Sequence, residues 1–137
     1  MINFPGKDEQ MKTLASTCSL VAGLIISSTL LEAHHSNVAF DVQKIVTVKG
    51  AVKEFRWANP HVWLHLMITD DKGVTSEWAF EGRSPTVLIR AGWSRSIFKS
   101  GEILTVDMSP AKDGSRTGMI ARVTKADGTI LGNAPTD

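Results

Sequence analysis

The sequence predicts a mainly β fold with one short helix, arranged as a small five-stranded barrel of the OB type. Three observations predict this class. Several segments rich in β-branched residues alternate apolar and polar side chains, turn residues separate them, and one helical segment falls between the third and fourth of them. The order β-β-β-α-β-β is that of an OB-type barrel. A β-sandwich of similar length is the alternative, but it does not need a helix at that place.

The first two predicted strands carry the clearest pattern. Residues 45–55 are rich in β-branched side chains and contain Gly50, so we expect a long strand that bends or bulges at this glycine. The second strand follows Pro60, and its side chains alternate between two faces. The face expected inside the barrel consists of Val62, Leu64, Leu66 and Ile68. Trp63 and His65 lie on the opposite face, so we expect them to point outward.

Turn and capping residues predict the third strand and the helix. A turn-forming segment leads into a return strand over residues 74–80, which completes a meander. Ser84 is a preferred residue for a helix N-cap, and Pro85 is well suited to the first helical position. The apolar spacing that follows predicts a helix over residues 86–91, which ends at Gly92.

Two further strands complete the predicted barrel. They cover residues 102–109 and 118–125, and a polar loop separates them. A short apolar segment at residues 129–131 follows a turn. We expect residues 133–137 to form a C-terminal tail.

The beginning of the chain has the pattern of an export signal. Lys12 precedes an apolar run over residues 20–31, and Ala33 is a small residue suited to a cleavage site. We therefore predict a signal peptide over residues 1–33, with translation starting at Met11, and a periplasmic or secreted protein. An N-terminal membrane anchor is the alternative, although the apolar run is short for a spanning helix. After cleavage we expect no stable membrane insertion.

Cleavage after Ala33 leaves one domain, residues 34–132, of about 100 residues. Cys18 is the only cysteine and lies within the predicted signal, so the mature domain depends on an apolar core for its stability. The net charge of the whole chain is +1, and its charges are scattered. This composition argues against a nucleic-acid partner.

A mature chain that begins at His34 carries a free amine beside an imidazole. These two groups can chelate one metal ion together, and a third nitrogen completes the T-shaped copper site called a histidine brace. His35 adds another imidazole to the cluster. Nitrogen donors favour copper(II) in the general affinity order, and zinc is the second choice. The simpler alternative is that both histidines are polar residues of an N-terminal leader.

His61 and His65 compete to supply the third nitrogen. On a regular strand they share a face but stand about 13 to 14 Å apart, so one site cannot easily use both. His61 follows Asn59 and Pro60 at the entry to the strand, and we predict that it is the third ligand. His65 is in mid-strand and is expected to pack beside Trp63. Thioether sulfur for copper(I) is available from Met67, Met108 and Met119, although methionine more often fills a core.

An alternative function is a metal-free module that docks an exported protein or a saccharide. Trp57 and Trp63 flank Asn59 and offer an aromatic platform, which His65 extends. The sequence contains no nucleophile elbow and no recognisable acid and base pair, because Glu77 and Glu81 lie at opposite ends of a strand without an obvious partner. We therefore predict no catalytic residues and favour a role other than catalysis.

Several short motifs together resemble a family of short exported bacterial proteins that is classed only as a domain of unknown function. The resemblance covers the mature chain nearly end to end and implies export with a mature start at His34. It leaves the mechanism open. The motifs are His34-His35-Ser36, Trp57-x-Asn59-Pro60-His61-x-Trp63, Glu81-Gly82-x-Ser84-Pro85, Gly92-Trp93 and Ala111-Lys112-Asp113-Gly114-Ser115.

Overall fold

The structure, a computed structural model, describes residues 39–134. Predictions that concern the signal peptide, His34, His35 and the last three residues lie outside this part of the chain. The described elements are β1 (Val46–Arg56), β2 (Trp63–Thr69), β3 (Thr75–Glu81), α1 (Pro85–Arg90), β4 (Ile103–Pro110), β5 (Thr117–Lys125) and β6 (Ile130–Gly132). Within residues 39–134 no helix has the length and apolar character needed to cross a membrane.

The strands form one sheet that closes into a barrel. Their order is β3-β2-β1-β4-β5-β6, and an additional parallel pairing between β3 and β5 closes the first five strands. This arrangement confirms the predicted OB-like barrel with its helix between β3 and β4. The apolar segment predicted after β5 forms a sixth strand that pairs with β5 outside the closed barrel.

Strand β1 is shared between the two sides of the barrel. Its residues 46–51 pair with β4, whereas residues 51–56 pair with β2. Gly50 lies at this changeover, where a Cβ atom would be only 2.6 Å from the carbonyl oxygen of Met67. A side chain therefore cannot be accommodated without a shift of the backbone. The bulge itself lies between Val52 and Glu54, slightly beyond the predicted position.

The barrel interior contains the apolar face predicted for β2. Val62, Leu64 and Leu66 are fully buried, and Ile68 packs against them at the edge of the core. Burial of each such side chain stabilises the fold by roughly 1.5 to 3 kcal/mol. Trp63 and His65 alternate with these residues and lie on the outer face, partly exposed. The predicted orientation of β2 is therefore confirmed.

Helix α1 packs on the barrel core through Leu88. Ser84 occupies the N-cap and Pro85 the first helical position, as predicted, although the Ser84 side chain makes no capping hydrogen bond. Leu88 is the only buried residue of the helix. The chain leaves the helix at Gly92, whose φ of 83° is readily adopted by glycine. The next residue, Trp93, is buried, and its indole Nε1 donates a hydrogen bond to the carbonyl oxygen of Gly132 (2.8 Å).

Candidate functional site: a cleft at the seam of the barrel

A cleft of about 470 Å³ lies on the outer face of the barrel, where β3 and β5 part. Their parallel pairing ends at Glu81 and Met119. Beyond this point β3 leads toward α1, whereas β5 continues and pairs with β6. The cleft therefore follows from the topology, because it occupies the gap that the diverging strands leave. Its polar and sulfur-containing lining consists of His61, Glu81, Arg83, Ser84, Ser109, Met119 and Asn133.

Asn133 bridges the two sides of this gap. Its Oδ1 accepts a hydrogen bond from the backbone N–H of Arg83 (3.0 Å), and its Nδ2 donates one to the carbonyl oxygen of Ile120 (2.7 Å). Asn133 is the first residue of the predicted C-terminal tail. Its side chain satisfies backbone groups that the parting strands would otherwise leave unpaired.

His61 stands at the rim of the cleft and is paired with a carboxylate. Backbone hydrogen bonds between Val62 and residues 82–83 extend the β2–β3 ladder beyond Glu81 and so position His61 beside the end of β3. The Nδ1 atom of His61 contacts Oε1 of Glu81. The His61 side chain is 37% exposed, whereas that of Glu81 is 12% exposed. A carboxylate at Nδ1 favours the tautomer with the proton on Nδ1, which leaves Nε2 as the nitrogen with a free lone pair.

His65, four residues further along the chain, is also paired with a carboxylate. Its Nδ1 lies 3.0 Å from Oε1 of Glu77, which also contacts the ammonium group of Lys53. Lys53 first, and then His65, lower the pKa of Glu77 below its ordinary value. The His65 side chain is 17% exposed, and its Nε2 is buried without a hydrogen-bond partner. The imidazole of His65 is thus less accessible to a metal ion in solution than that of His61.

The expectation that Glu77 and Glu81 lack partners was wrong. His65 lies directly opposite Ala79, and Glu77 is two residues away along β3, so the pair is diagonal. His61 and Glu81 have the same diagonal relation. His61 and His65 have the same spacing along the chain as Glu77 and Glu81. This equal spacing is the sequence signal, but it can be interpreted only once the register of the two segments is known.

The predicted docking residues lie on β2 and on the loop that precedes it. Trp57 packs against the core and makes an edge-to-face contact with Phe55, with 5.7 Å between ring centroids. Trp63 lies on the outer face of β2, opposite Glu81 in the ladder, and His65 follows it on that face. Asn59 is exposed in the loop between β1 and β2. Trp57 and Trp63 are both partly exposed.

Potential metal donors are few within residues 39–134. This part of the chain contains no group of three or more His, Cys, Asp or Glu side chains arranged to hold a metal ion. His61 and Glu81 are the two such groups that line the cleft, and Met119 adds a thioether. Met108 is buried in the core, and Met67 is not part of the cleft lining. The described residues thus contribute one imidazole, one carboxylate and one thioether to this cleft.

Fold and cleft together define a small OB-type barrel with a histidine and carboxylate pair on its outer face. Residues 22–122 match a family of unknown function (DUF6152), and the chain belongs to this family. The match confirms the resemblance to an uncharacterised domain. Among curated proteins and among solved structures no match was found.

Proposed function

We propose that this protein is an exported protein that binds copper(II) through the mature N-terminus and His61. The donors are the amine and imidazole of His34 and the Nε2 atom of His61, and His35 supplies a further nitrogen. Zinc, which accepts the same neutral imidazole donors, is the second metal to consider. A carrier or buffer of the ion is the role that this donor set fits.

The observation that supports His61 as the ligand is its pairing with Glu81. Metal-bound histidines commonly donate the second ring N–H to a carboxylate, which fixes the tautomer and makes the coordinating nitrogen more basic. His61 has this partner and a side chain that is more than one-third exposed. His65 has a similar partner, but its Nε2 is buried. Exposure therefore favours His61.

The decisive experiment changes the position of the amine and leaves every side chain in place. One glycine is inserted between Ala33 and His34 in the full chain, and mass spectrometry of the exported protein establishes the N-terminus. We expect the chain that starts at His34 to bind one copper(II) ion, and the chain with the additional glycine to bind it at least about 10-fold more weakly. Titration against a competing chelator measures both affinities.

A matched pair of histidine variants tests the third nitrogen. We expect His61→Ala to weaken copper(II) binding by about 10-fold or more, and His65→Ala to leave it within about threefold. Equal affinity for the native and extended N-termini would contradict the brace. The metal-free module would then be the better explanation, and the cleft at His61 would be its binding surface for an exported protein or a saccharide.

A further inference from the structure

We infer that the same cleft also binds copper(I), through Nε2 of His61 and the thioether sulfur of Met119. This inference rests on the proposed function in one respect, because it takes copper to be the metal that His61 binds. It adds a second oxidation state and a ligand from a different strand.

The strand register places Met119 at the cleft. Met119 is the parallel partner of Glu81, and neighbouring strands are about 4.8 Å apart. Glu81 in turn contacts the imidazole of His61. All three side chains line the cleft. His61 and Met119 therefore line the same cleft and share Glu81 as a neighbour.

The position of Met119 is unusual for a methionine that only fills space. The neighbours of Met119 along β5, Gly118 and Ile120, are buried, and Ile120 belongs to the barrel core. Met119 alternates with them and lies on the outer face, partly exposed, with Ser109 as its antiparallel partner. A flexible thioether on the outside of a barrel does not pack the interior, so core packing does not account for it.

The donor chemistry separates the two oxidation states of copper. Copper(I) is a soft ion that prefers sulfur and imidazole ligands and accepts low coordination numbers, so His61 and Met119 are sufficient. Copper(II) prefers the amine and imidazole nitrogens of the N-terminus. Both states share His61. Loss of Met119 should therefore affect copper(I) selectively, and a displaced amine should affect copper(II) selectively.

Met67 provides a matched control. It lies on the outer face of β2, is partly exposed like Met119, and is not part of the cleft lining. Replacement of methionine by leucine nearly conserves the volume of the side chain and removes the sulfur. Met67→Leu and Met119→Leu therefore remove the same atom from two partly exposed positions, of which only that of Met119 lines the cleft with His61.

The experiment measures copper(I) affinity of the full-chain exported protein under anaerobic, reducing conditions, by competition with a chromophoric copper(I) chelator. We expect Met119→Leu to weaken copper(I) binding by about 10-fold or more, and Met67→Leu to leave it unchanged. Copper(II) affinity of Met119→Leu should stay within about threefold of the parent protein. Circular dichroism checks the fold, and Met119→Gln replaces Met119→Leu if the leucine variant does not fold.

The outcomes distinguish this inference from the proposed function. If the glycine insertion has no effect on copper(II) but Met119→Leu still weakens copper(I), the brace fails and the copper(I) site stands. If the two methionine variants bind copper(I) as tightly as the parent, or lose equal affinity, the copper(I) site is overturned whatever the copper(II) result. Failure of the parent protein to bind copper(I) overturns it as well.

Discussion

At the scale of single residues, the carboxylate of Glu81 determines which nitrogen of His61 is available. An imidazole alone presents two tautomers, whereas a neighbouring carboxylate holds the proton on Nδ1. Glu81 is largely shielded from solvent, whereas His61 is partly exposed, so the imidazole is the accessible member of the pair. A buried charge is costly unless it is paired, and His61 is the partner that the structure provides for Glu81.

Replacement of Glu81 by glutamine tests this positioning role. The amide keeps the size of the side chain and removes the negative charge, so we expect Glu81→Gln to weaken copper(II) binding by about 10-fold or more. Glu77→Gln is the matched control, because it makes the same change beside His65, and it should leave the affinity within about threefold. Glu81→Asp should also fail to preserve copper(II) affinity, since its shorter side chain does not reach Nδ1 of His61. Equal effects of the two glutamine variants in chelator competition would contradict the assignment.

At the scale of elements, the parallel seam between β3 and β5 is the shortest ladder of the closed barrel. It comprises the pairs Ala79 with Thr117, Phe80 with Gly118 and Glu81 with Met119. Gly118 is close to the core side chain of Met108, since a Cβ atom there would lie 2.4 Å from the Met108 sulfur. A short parallel ladder needs support at its open end, and the Asn133 side chain provides it.

Asn133→Ala should therefore destabilise the whole domain. The substitution removes the hydrogen bonds to the N–H of Arg83 and the carbonyl oxygen of Ile120. A typical hydrogen bond contributes about 0.5 to 1.5 kcal/mol, so we expect the free energy of unfolding to fall by about 1 to 3 kcal/mol. Urea denaturation followed by tryptophan fluorescence measures it. Ser94→Ala, at an exposed position, should change stability by less than about 0.5 kcal/mol. If Asn133→Ala also lowers the free energy of unfolding by less than about 0.5 kcal/mol, the two hydrogen bonds of Asn133 are not needed for stability.

At the scale of the whole molecule, local pattern predicted the strands and long-range pairing determined the site. The alternation in β2 identifies its buried face because each side chain reports directly on its environment. The seam could not be read in this way, since residues near 80 and 118 meet only after the barrel closes. The sequence indicates no partners for Glu77 and Glu81 because it does not reveal the register of β2 against β3. It does not single out Asn133 because a short polar segment after the last strand has the pattern of a tail.

Carboxylates on the outside of the barrel connect its strands. Asp107 on β4 accepts hydrogen bonds from the Thr47 hydroxyl on β1 (2.6 Å) and from Nε of Arg122 on β5 (2.8 Å). These two partners, Thr47 first, lower the pKa of Asp107 below its ordinary value. A lowered pKa is shared by further carboxyl groups of the described residues, namely Asp41, Glu77, Glu102, Asp113 and Asp127.

The sign of the lowered pKa values predicts acid sensitivity. A carboxyl group whose pKa is lower in the folded than in the unfolded chain stabilises the fold at pH values above its pKa in the unfolded chain. This stabilisation is lost as the pH falls through its pKa in the folded chain. With ordinary values of 3.8 for Asp and 4.5 for Glu, we expect the urea midpoint to fall steadily below about pH 4.5.

Asp107→Asn provides the specific test of this mechanism. The amide does not ionise, so the variant should be less stable than the parent protein at pH 7, and the gap should narrow between pH 4.5 and pH 3 as Asp107 of the parent takes up a proton. Asp71→Asn, in the exposed turn before β3, should differ from the parent by less than about 0.5 kcal/mol at pH 7. Urea midpoints at several pH values measure both variants. If the difference in urea midpoint between Asp107→Asn and the parent protein stays constant down to pH 3, packing and not the charge of the carboxylate accounts for the stabilisation.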